Sequence, residues 1–319
     1  MQNDIREAAI GLGYIDARSV TGHPFTVWRN RLDQIPLGKY LSFEHDPVKA
    51  TGWPLNKITI WVAVAPTPPV AEWPAGRGEI GGYYMSSGKR HKQNDAWEDA
   101  AEGLGYVVKR GVMLPERAAA IRAGLGVHGL NGLLLTPHKD YGSFVSIKLL
   151  LINAAPPDSA RGPEHDTSPG CKQCGACRKA CPKAAISEDG VDTTVCLRWY
   201  MNRLEDLPEG DYPKMGRRIL GCDTCQDACP FNARIVKEDA PADMAEYMKL
   251  ENLLTDPDIE KISKYIQLDA ELVKTQAMMA AANTGRTDLL PLVEALANGG
   301  GTREKIARWA INRLRSAVC

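Results

Sequence analysis

The chain has 319 residues, a formal net charge of zero and 44% hydrophobic residues. A chain of this length can bury a sizeable core and has room for two or three domains. Zero net charge excludes a global basic field, so any binding of nucleic acid requires a local patch. No apolar run of about 18 residues occurs, and the N-terminus lacks the apolar core of a signal peptide. We therefore expect a cytoplasmic protein without a membrane span.

The first half of the chain alternates between helix and strand patterns. Strands are predicted over three apolar, β-branched stretches, at 57–65 (KITIWVAVA), 106–113 (YVVKRGVM) and 143–152 (SFVSIKLLLI). Amphipathic helices are predicted at 4–13, at 93–104 and, between a proline and Gly124, at 115–123. Trp97 and Leu104 share the apolar face of the second helix. Because strands and helices alternate, residues 1–155 are predicted to form one α/β domain.

Eight of the nine cysteines fall within 59 consecutive positions. They form a C-x₂-C-x₂-C-x₃-C-P run, a lone cysteine and a C-x₂-C-x₃-C-P run: Cys171, Cys174, Cys177, Cys181, Cys196, Cys222, Cys225 and Cys229. A disulfide framework would spread cysteines through a small secreted domain, whereas gaps of two and three residues are typical of metal ligands. A pair of structural zinc sites is the alternative. The 2-2-3 spacing followed by proline favours two [4Fe–4S] clusters of the bacterial ferredoxin kind.

Ferredoxin geometry also predicts which cysteines share a cluster. In two-cluster folds the fourth cysteine of a run binds the other cluster. Cys229 is thus predicted to join Cys171, Cys174 and Cys177, and Cys181 to join the second run. Since that run has one ligand fewer than usual, Cys196 is predicted to complete its set. Cys319 is the ninth cysteine and is expected to stay unligated at the C-terminus.

The remaining segments suggest a linker and a helical tail. Residues 153–170 are rich in Pro, Asp, Ser and Gly and lead into a cluster domain predicted at 156–250. Residues 251–319 contain three helical patterns, at 270–283, 286–298 and 302–316, whose spacing resembles HEAT-like repeats. A plain helical cap over the core is the alternative. In either case the tail is expected to pack or to bind a partner, without chemistry of its own.

A literal G-x-G-x-x-G lies at Gly124, Gly126 and Gly129. A dinucleotide site needs a strand before this motif and a helix after it, and here the order is reversed, so nicotinamide binding is disfavoured. The glycines either let the backbone approach a flat or bulky ligand or form a helix end and turn. Of the six histidines, His91 and His128 are singled out because they lie in glycine-rich loops.

The order of these parts resembles the epoxyqueuosine reductase family, whose relatives include the reductive dehalogenases. The resemblance covers nearly the whole chain. It is most specific at 116–143 (ERAAAIRAGLGVHGLNGLLLTPHKDYGS) and 221–230 (GCDTCQDACP). It implies a nitroreductase-like α/β domain that binds cobalamin, a ferredoxin-like double-cluster segment and a HEAT-like tail. Electrons would enter at one cluster and reach the cobalt through the other.

The resemblance also implies a set of cofactor-binding residues. These would approach or line the corrin pocket: Gly124, Gly126, His128, Gly129, Asn131, Tyr141, Gly142 and Ser143. In the family the substrate is a modified nucleoside of the tRNA anticodon loop. The implied electron donor is a reduced ferredoxin or flavodoxin.

Two departures from the family pattern concern the substrate side. The position of the family's catalytic Asp is Arg110 here, and a guanidinium stays charged at working pH, so it cannot donate a proton as a carboxylic acid does. The family's D-Y-H is Lys89, Arg90 and His91, so only the histidine is kept. Arg110 and His91 therefore occupy the predicted catalytic positions. The added cations predict binding of an anionic substrate.

Three functions stay open at this point. The leading hypothesis is a cobalamin- and [4Fe–4S]-dependent reductase that acts on tRNA or on a different, anionic substrate. The second is a ferredoxin-like activator that reduces the corrinoid of a partner protein. The third is a corrinoid-binding protein without turnover. The missing Asp favours the second and third, whereas the cobalamin-side residues argue against a bare ferredoxin.

Overall fold

The computed structural model describes residues 2–34, 44–166, 170–263 and 268–317, so the prediction for Cys319 lies outside the described residues. The strands, in chain order, are β1 Asp16–Thr21, β2 Ile58–Pro66, β3 Glu79–Ile80, β4 Val108–Lys109, β5 Val127–His128, β6 Leu134–Leu135, β7 Val145–Asn153 and β8 Arg218–Leu220. No helix in these ranges combines the length and the apolar character needed to cross a membrane.

Helices occur in both halves of the part of the chain that the structure describes. Those of the first half are α1 Gln2–Gly11, α2 Thr26–Asp33, α3 Pro47–Thr51, α4 Gly82–Met85, α5 Ser87–Gly103 and α6 Glu116–Arg122. Those of the second half are α7 Ala176–Ala180, α8 Leu197–Tyr200, α9 Tyr212–Met215, α10 Thr224–Asp227, α11 Ala242–Tyr247, α12 Leu250–Thr255, α13 Ile259–Ser263, α14 Ala270–Asn283, α15 Leu290–Ala295 and α16 Gly301–Ser316.

A four-stranded sheet in the order β1-β2-β7-β4 forms the centre of the first half. All of its pairings are antiparallel. Side chains alternate across a strand, so Ile60 and Val62 of β2 pack on the face covered by α6. Trp61 packs on the other face, against α1 and α5, where Trp97 Nε1 donates to the Ile5 carbonyl at 3.0 Å. The mixed α/β class is confirmed.

Several predicted elements are shorter or placed differently. The strand predicted at 106–113 is only Val108–Lys109, because only these two residues pair with β7. Gly105 and Gly111 on either side adopt left-handed backbone conformations that break the extended run. The helix predicted from residue 93 already begins at Ser87, and Leu104 at its end is 42% exposed instead of facing the core. A further helix, α11, lies near the end of the cluster domain predicted at 156–250.

The cluster segment and the helical tail share one hydrophobic core. Leu197, Met201 and Ile219 of the cluster segment belong to the same buried cluster as Leu253 and Met278 of the tail. In addition, the Gln276 side chain donates to the Met201 carbonyl at 2.6 Å. The three predicted tail helices are present as α14, α15 and α16. The division at residue 250 stays a prediction, since the packing continues across it, and so does the HEAT-like character of the tail.

A fully buried arginine joins α6 to the segment that leads into the cysteine runs. Arg122 has no exposed side-chain surface, and its guanidinium binds both carboxylate oxygens of Asp166, at 2.5 and 2.8 Å. It also donates to the carbonyls of His23 and Pro24, and it stacks on Phe25 with 4.0 Å to the ring centroid. This clamp fixes the start of the cluster segment against the α/β domain.

Candidate double-cluster site and adjoining cleft

The eight predicted cysteine ligands are all unpaired thiols. Cys177 is buried at the start of α7, whereas Cys174 in the preceding turn is exposed. Burial raises the pKa of Cys177 most, and the nearby thiols of Cys229 and Cys171 raise it further. Cys177 therefore lies beside one thiol of its own run and one from the end of the second run.

The second set of thiols is assembled in the same crossed manner. Burial raises the pKa of Cys196, and the neighbouring thiols of Cys222 and Cys181 add to this effect. Burial together with Cys222 and Cys196 raises the pKa of Cys225 to about 12. The thiols that act on Cys196 are those that ferredoxin geometry predicts, whereas those that act on Cys225 also include Cys177 of the first run. The assignment of all eight as cluster ligands stays a prediction that this arrangement supports.

The chemistry of the site fits iron–sulfur clusters. Thiolate sulfurs bound to clusters accept hydrogen bonds that tune the potential, and two backbone donors are in place. The amide of Leu130 donates to Cys171 Sγ and that of Ala185 to Cys181 Sγ, both at 3.3 Å. In the described ranges no three His, Cys, Asp or Glu side chains stand close enough to hold one metal ion. A cluster, which brings its own iron and sulfide atoms between the thiolates, does not require that convergence.

The loop that follows β5 touches the first cysteine run directly. The Cys171 amide donates to the His128 carbonyl at 3.2 Å, in addition to the bond from Leu130 to the Cys171 sulfur. His128 lies in a partly buried position, and burial lowers its pKa, with Arg117 and Arg31 acting in the same direction. Asn131 is buried, and its Nδ2 has no hydrogen-bond partner among the described residues. This loop is therefore the part of the α/β domain nearest to the thiol of Cys171.

The predicted residues Tyr141, Gly142 and Ser143 form a turn that is docked on the second cysteine run. The Ser143 amide donates to Asn232 Oδ1 at 3.0 Å, and the Ser143 hydroxyl donates to Gln226 Oε1 at 3.0 Å. Asn232 Nδ2 in turn donates to the Gln226 carbonyl at 2.8 Å. Gln226 and Asn232 were not predicted, although both lie within or just after the second run. The network holds the α/β domain against the cluster segment.

Replacing Asn232 with alanine is expected to weaken this docking. The change leaves the buried Ser143 amide without an acceptor, which costs about 1–3 kcal/mol. Thermal unfolding of the cluster-loaded protein should show the loss. Asn202→Ala serves as the control, because Asn202 is exposed and its side chain accepts a hydrogen bond from Arg198. Equal unfolding temperatures of the two variants would contradict a stabilising role for this hydrogen-bond network.

The glycines of the G-x-G-x-x-G motif lie close to other atoms of the same chain. A side chain at Gly126 would lie 2.6 Å from the Leu135 carbonyl, and one at Gly129 would lie 2.5 Å from Asn131 Oδ1. Gly124 is in the left-handed region at the end of α6, as the alternative of a helix end predicted. The assignment of these glycines to a cofactor therefore stays a prediction. In this loop the buried Nδ2 of Asn131 could donate a hydrogen bond to an acceptor on an additional bound group.

The guanidinium of Arg110 lies against α5 and binds acidic side chains of that helix. Its guanidinium donates to Glu98 at 3.1 Å, to Asp99 at 2.6 Å and to Glu102 at 3.0 Å. Hydrogen bonds to Glu102 and Asp99 raise its pKa further. Glu98 is buried and also binds Lys148 of β7. Arg110 is thus already neutralised by its neighbours, contrary to the expectation that it offers a charge to a substrate.

Charged side chains from α5, α6 and β7 influence one another's pKa, and we call this group the cationic patch: Arg90, His91, Glu116, Arg117 and Lys148. Glu116 and Arg117 are reached by solvent, yet burial shifts the pKa of both, upward for Glu116 and downward for Arg117. Burial and Arg90 lower the pKa of His91.

Sequence reasoning missed Glu98, Glu116 and Lys148 as members of this region. Glu116 stands at the head of the stretch that carries the resemblance, so its position was a signal. Lys148 occurs in an apolar strand, where a lone lysine is a second signal. Glu98 could not be found, because its partners come from positions 110 and 148 of the chain.

Comparison with known proteins identifies the cluster segment first. Residues 170–232 match the family model described as a 4Fe-4S double cluster binding domain. The chain is thus a double-cluster iron–sulfur protein.

Comparisons with curated proteins and solved structures extend the similarity beyond the cluster segment. The chain is 33% identical over 159 residues to an epoxyqueuosine reductase of Synechocystis, a match that covers 49% of the chain and 51% of that relative. The chain spans about half the length of this curated relative. A structure of selenomethionine-labelled epoxyqueuosine reductase superposes with a TM-score of 0.81 at 23% identity, over 98% of this chain and 90% of that one.

A further structure, epoxyqueuosine reductase with an epoxyqueuosine-modified tRNA-Tyr stem loop, gives a TM-score of 0.77 at 22% identity, covering 98% and 90% of the two chains. These structures show the shared fold. Together the matches confirm the resemblance to the epoxyqueuosine reductase family that was found in the sequence.

Proposed function

We propose that the chain is an oxidoreductase of the epoxyqueuosine reductase kind, which uses two [4Fe–4S] clusters and cobalamin. The observation that carries the proposal is the contact between Cys171 and the loop of His128 and Leu130. The contact brings the Cys171 sulfur against the α/β domain, and we assign Cys196 and Cys222 to the other set of thiols. Electrons from a reduced ferredoxin or flavodoxin would pass from the second set to the first and then to the α/β domain.

The α/β domain would hold cobalamin beside this loop. The support is the buried Nδ2 of Asn131, a donor without a partner among the described residues, and the position of His128 next to the Cys171 backbone. When bound, cobalamin supplies a cobalt centre that takes up electrons singly and delivers them to the substrate. The chain's own part is to orient the cofactor, exclude water and provide protons.

The substrate is proposed to be an anionic molecule, with a modified tRNA nucleoside as the leading candidate. A relative has been solved with a tRNA stem loop, and the cationic patch contains Arg90, Arg117 and Lys148. Phosphate contacts by such side chains must weaken as the salt concentration rises. Tyr83 is 41% exposed, and its ring centroid lies 3.9 Å from the Arg90 guanidinium, so it adds an aromatic surface beside the patch. Nucleobases stack on such surfaces in RNA-binding proteins.

One experiment tests the whole proposal. The protein is loaded with clusters anaerobically, cobalamin is added, and the complex is reduced and mixed with an epoxyqueuosine-modified tRNA stem loop. We expect a protein-bound cobalamin spectrum and conversion of the nucleoside, measured by mass spectrometry. An unmodified stem loop is the control. Bound cobalamin without conversion would reject the substrate, and a lack of binding would reject the reductase.

A second candidate is an activator that passes electrons to the corrinoid of a partner protein. The exposure of Cys174 favours it, because a thiolate at the surface brings a cluster near a docked partner. The absence of cobalamin binding, together with reduction of an added corrinoid protein, would distinguish this function. A corrinoid-binding protein without turnover would instead bind cobalamin and convert nothing.

Restoring the family's acid at position 110 is expected to destabilise the protein without creating activity. Arg110→Asp removes three ion pairs, each worth about 0.2–1 kcal/mol at the surface, and adds a carboxylate beside Glu98, Asp99 and Glu102. The expected loss is roughly 1–2 kcal/mol, measured by thermal unfolding and compared with Arg110→Lys. A gain of epoxyqueuosine reduction in the Asp variant would show that residue 110 reaches the substrate.

A further inference from the structure

Two arginine side chains converge on Gly124, the glycine that follows the end of α6 in the left-handed region. Arg18 of β1 donates from Nη1 to the Gly124 carbonyl at 2.8 Å. A side chain at Gly124 would place its Cβ 3.2 Å from this same nitrogen and closer still to Nη1 of Arg161. The two guanidinium groups are therefore neighbours, and the absence of a side chain at Gly124 leaves room for them.

The backbone of Arg161 is fixed at the edge of the central sheet. Its amide donates to the Ser19 carbonyl at 3.2 Å, and its carbonyl accepts from the Thr21 amide at 3.1 Å. Residue 161 thus lies beside Val20 of β1, although it belongs to the segment that leads into the cysteine runs. A ligand that binds the Arg161 side chain does not have to order this part of the backbone first, which favours binding.

The two guanidinium groups differ in the partners that they already have. Arg18 donates from Nε to Asp16 at 3.0 Å, and its Nη2 lies 3.0 Å from the same carboxylate. Asp16 also accepts from Arg6 at 3.1 Å, and Nε2 of His138 lies 4.0 Å from it. The single negative charge of Asp16 is therefore shared by two arginines. The side chain of Arg161 makes no hydrogen bond or ion pair with any residue that the structure describes.

The charges and the shape of the two side chains favour a phosphate group as their ligand. Two neighbouring cations repel each other, so an anion bound to both is stabilised. The planar fork of a guanidinium matches the oxygens of carboxylate and of phosphate. A carboxylate has only two oxygens, which one fork occupies, whereas a phosphate group has further oxygens for a second guanidinium. Arg18 is exposed and Arg161 is half-buried, so solvent reaches both side chains.

We propose that Arg18 and Arg161 form a phosphate-binding site beside Gly124. Arg161 supplies its unpaired guanidinium, and Arg18 supplies the N–H group of Nη1 that the Gly124 carbonyl does not use. The ligand is inorganic phosphate or a phosphodiester of a nucleic-acid backbone, since both present the same oxygens to a guanidinium. The site goes beyond the proposed function, because neither the clusters nor cobalamin take part in it.

The first test is calorimetric titration of the cluster-loaded full chain with inorganic phosphate, at an ionic strength held constant with chloride. Arg161→Gln should weaken phosphate binding about tenfold or more, because hydrogen bonds to charged groups contribute that much to affinity. Arg161→Lys keeps the charge without the fork and should bind with intermediate affinity. Arg234→Gln changes an exposed arginine after the second cysteine run and should bind as the native protein does. Equal phosphate binding by the native protein and Arg161→Gln would overturn the site.

Titration with the unmodified stem loop at several salt concentrations separates the two sources of phosphate. If the site holds a backbone phosphodiester, Arg161→Gln should reduce the slope of log Kd against log salt concentration by about one, and Arg234→Gln should not. If Arg161→Gln weakens the binding of inorganic phosphate alone, the ligand is free phosphate. If it changes neither, the site is rejected. These titrations require neither cobalamin nor turnover, so a failure to convert epoxyqueuosine would reject the proposed function and leave the site unaffected.

Discussion

Replacing Cys229 with serine should remove one [4Fe–4S] cluster and leave the other intact. The thiol of Cys229 lies beside Cys177, together with Cys171, although it belongs to the second run. Loss of this ligand is therefore expected to empty the site of the first run. The iron content of the anaerobically loaded protein should fall from about eight to about four atoms per chain. Iron and sulfide analysis with electron paramagnetic resonance measures this directly.

The crossed arrangement gives the experiment its control. Cys181→Ser should remove the other cluster, since Cys181 lies beside Cys196. The remaining resonance signal should thus differ between the two variants. Cys319→Ser, outside both runs, is expected to retain full iron content. If Cys229→Ser and Cys181→Ser leave the same signal, the two runs do not exchange ligands.

The second large effect is expected at the buried pair of Arg122 and Asp166. Asp166→Asn keeps the shape of the side chain but leaves the guanidinium of Arg122 buried without a counter-charge. Removing one partner of a buried pair typically costs about 3–5 kcal/mol. Thermal unfolding of the cluster-loaded protein, followed by circular dichroism, should show a correspondingly lower midpoint. Asp158→Asn is the matched control, because Asp158 is exposed in the same linker.

A double replacement separates loss of the pair from loss of packing. When both charges are replaced by apolar side chains of similar volume, the stability is often retained, because neither charge is then desolvated. Arg122→Met with Asp166→Leu should therefore recover most of the loss caused by Asp166→Asn. If the double variant is as unstable as the single one, the loss of the bonds from Arg122 to the His23 and Pro24 carbonyls costs as much as the uncompensated charge does.

Local sequence patterns predicted several elements of the fold. The strands β2 and β7 and the helix α6 were predicted within a few residues, because each has a continuous apolar or capped pattern of its own. β1 was missed, since its sequence DARSVT is mostly polar and becomes a strand only by pairing with β2. Pairing is a property of two distant segments, and the antiparallel order of the sheet could not be read from either one.

In the candidate site, too, features with a local sequence signal were predictable, and contacts between distant residues were not. The cysteine spacing predicts the cluster ligands and their exchange, because a ferredoxin run is a short-range signal. The position of Arg110 was assigned by counting along the chain, which cannot say where its guanidinium points. In the structure three acids of α5 bind it. Likewise, the docking of Ser143 on Gln226 and Asn232 joins residues more than 80 positions apart.

The core shared by the cluster segment and the helical tail limits how this electron-transfer unit can be reused. A shortened chain that stopped before α12 would leave Leu197, Met201 and Ile219 facing water, because Leu253 and Met278 would be missing. Such a protein would aggregate before it could hold its clusters. The cysteine-bearing segment is therefore not a detachable ferredoxin. Any evolutionary transfer of this redox function has to carry the C-terminal helices with it.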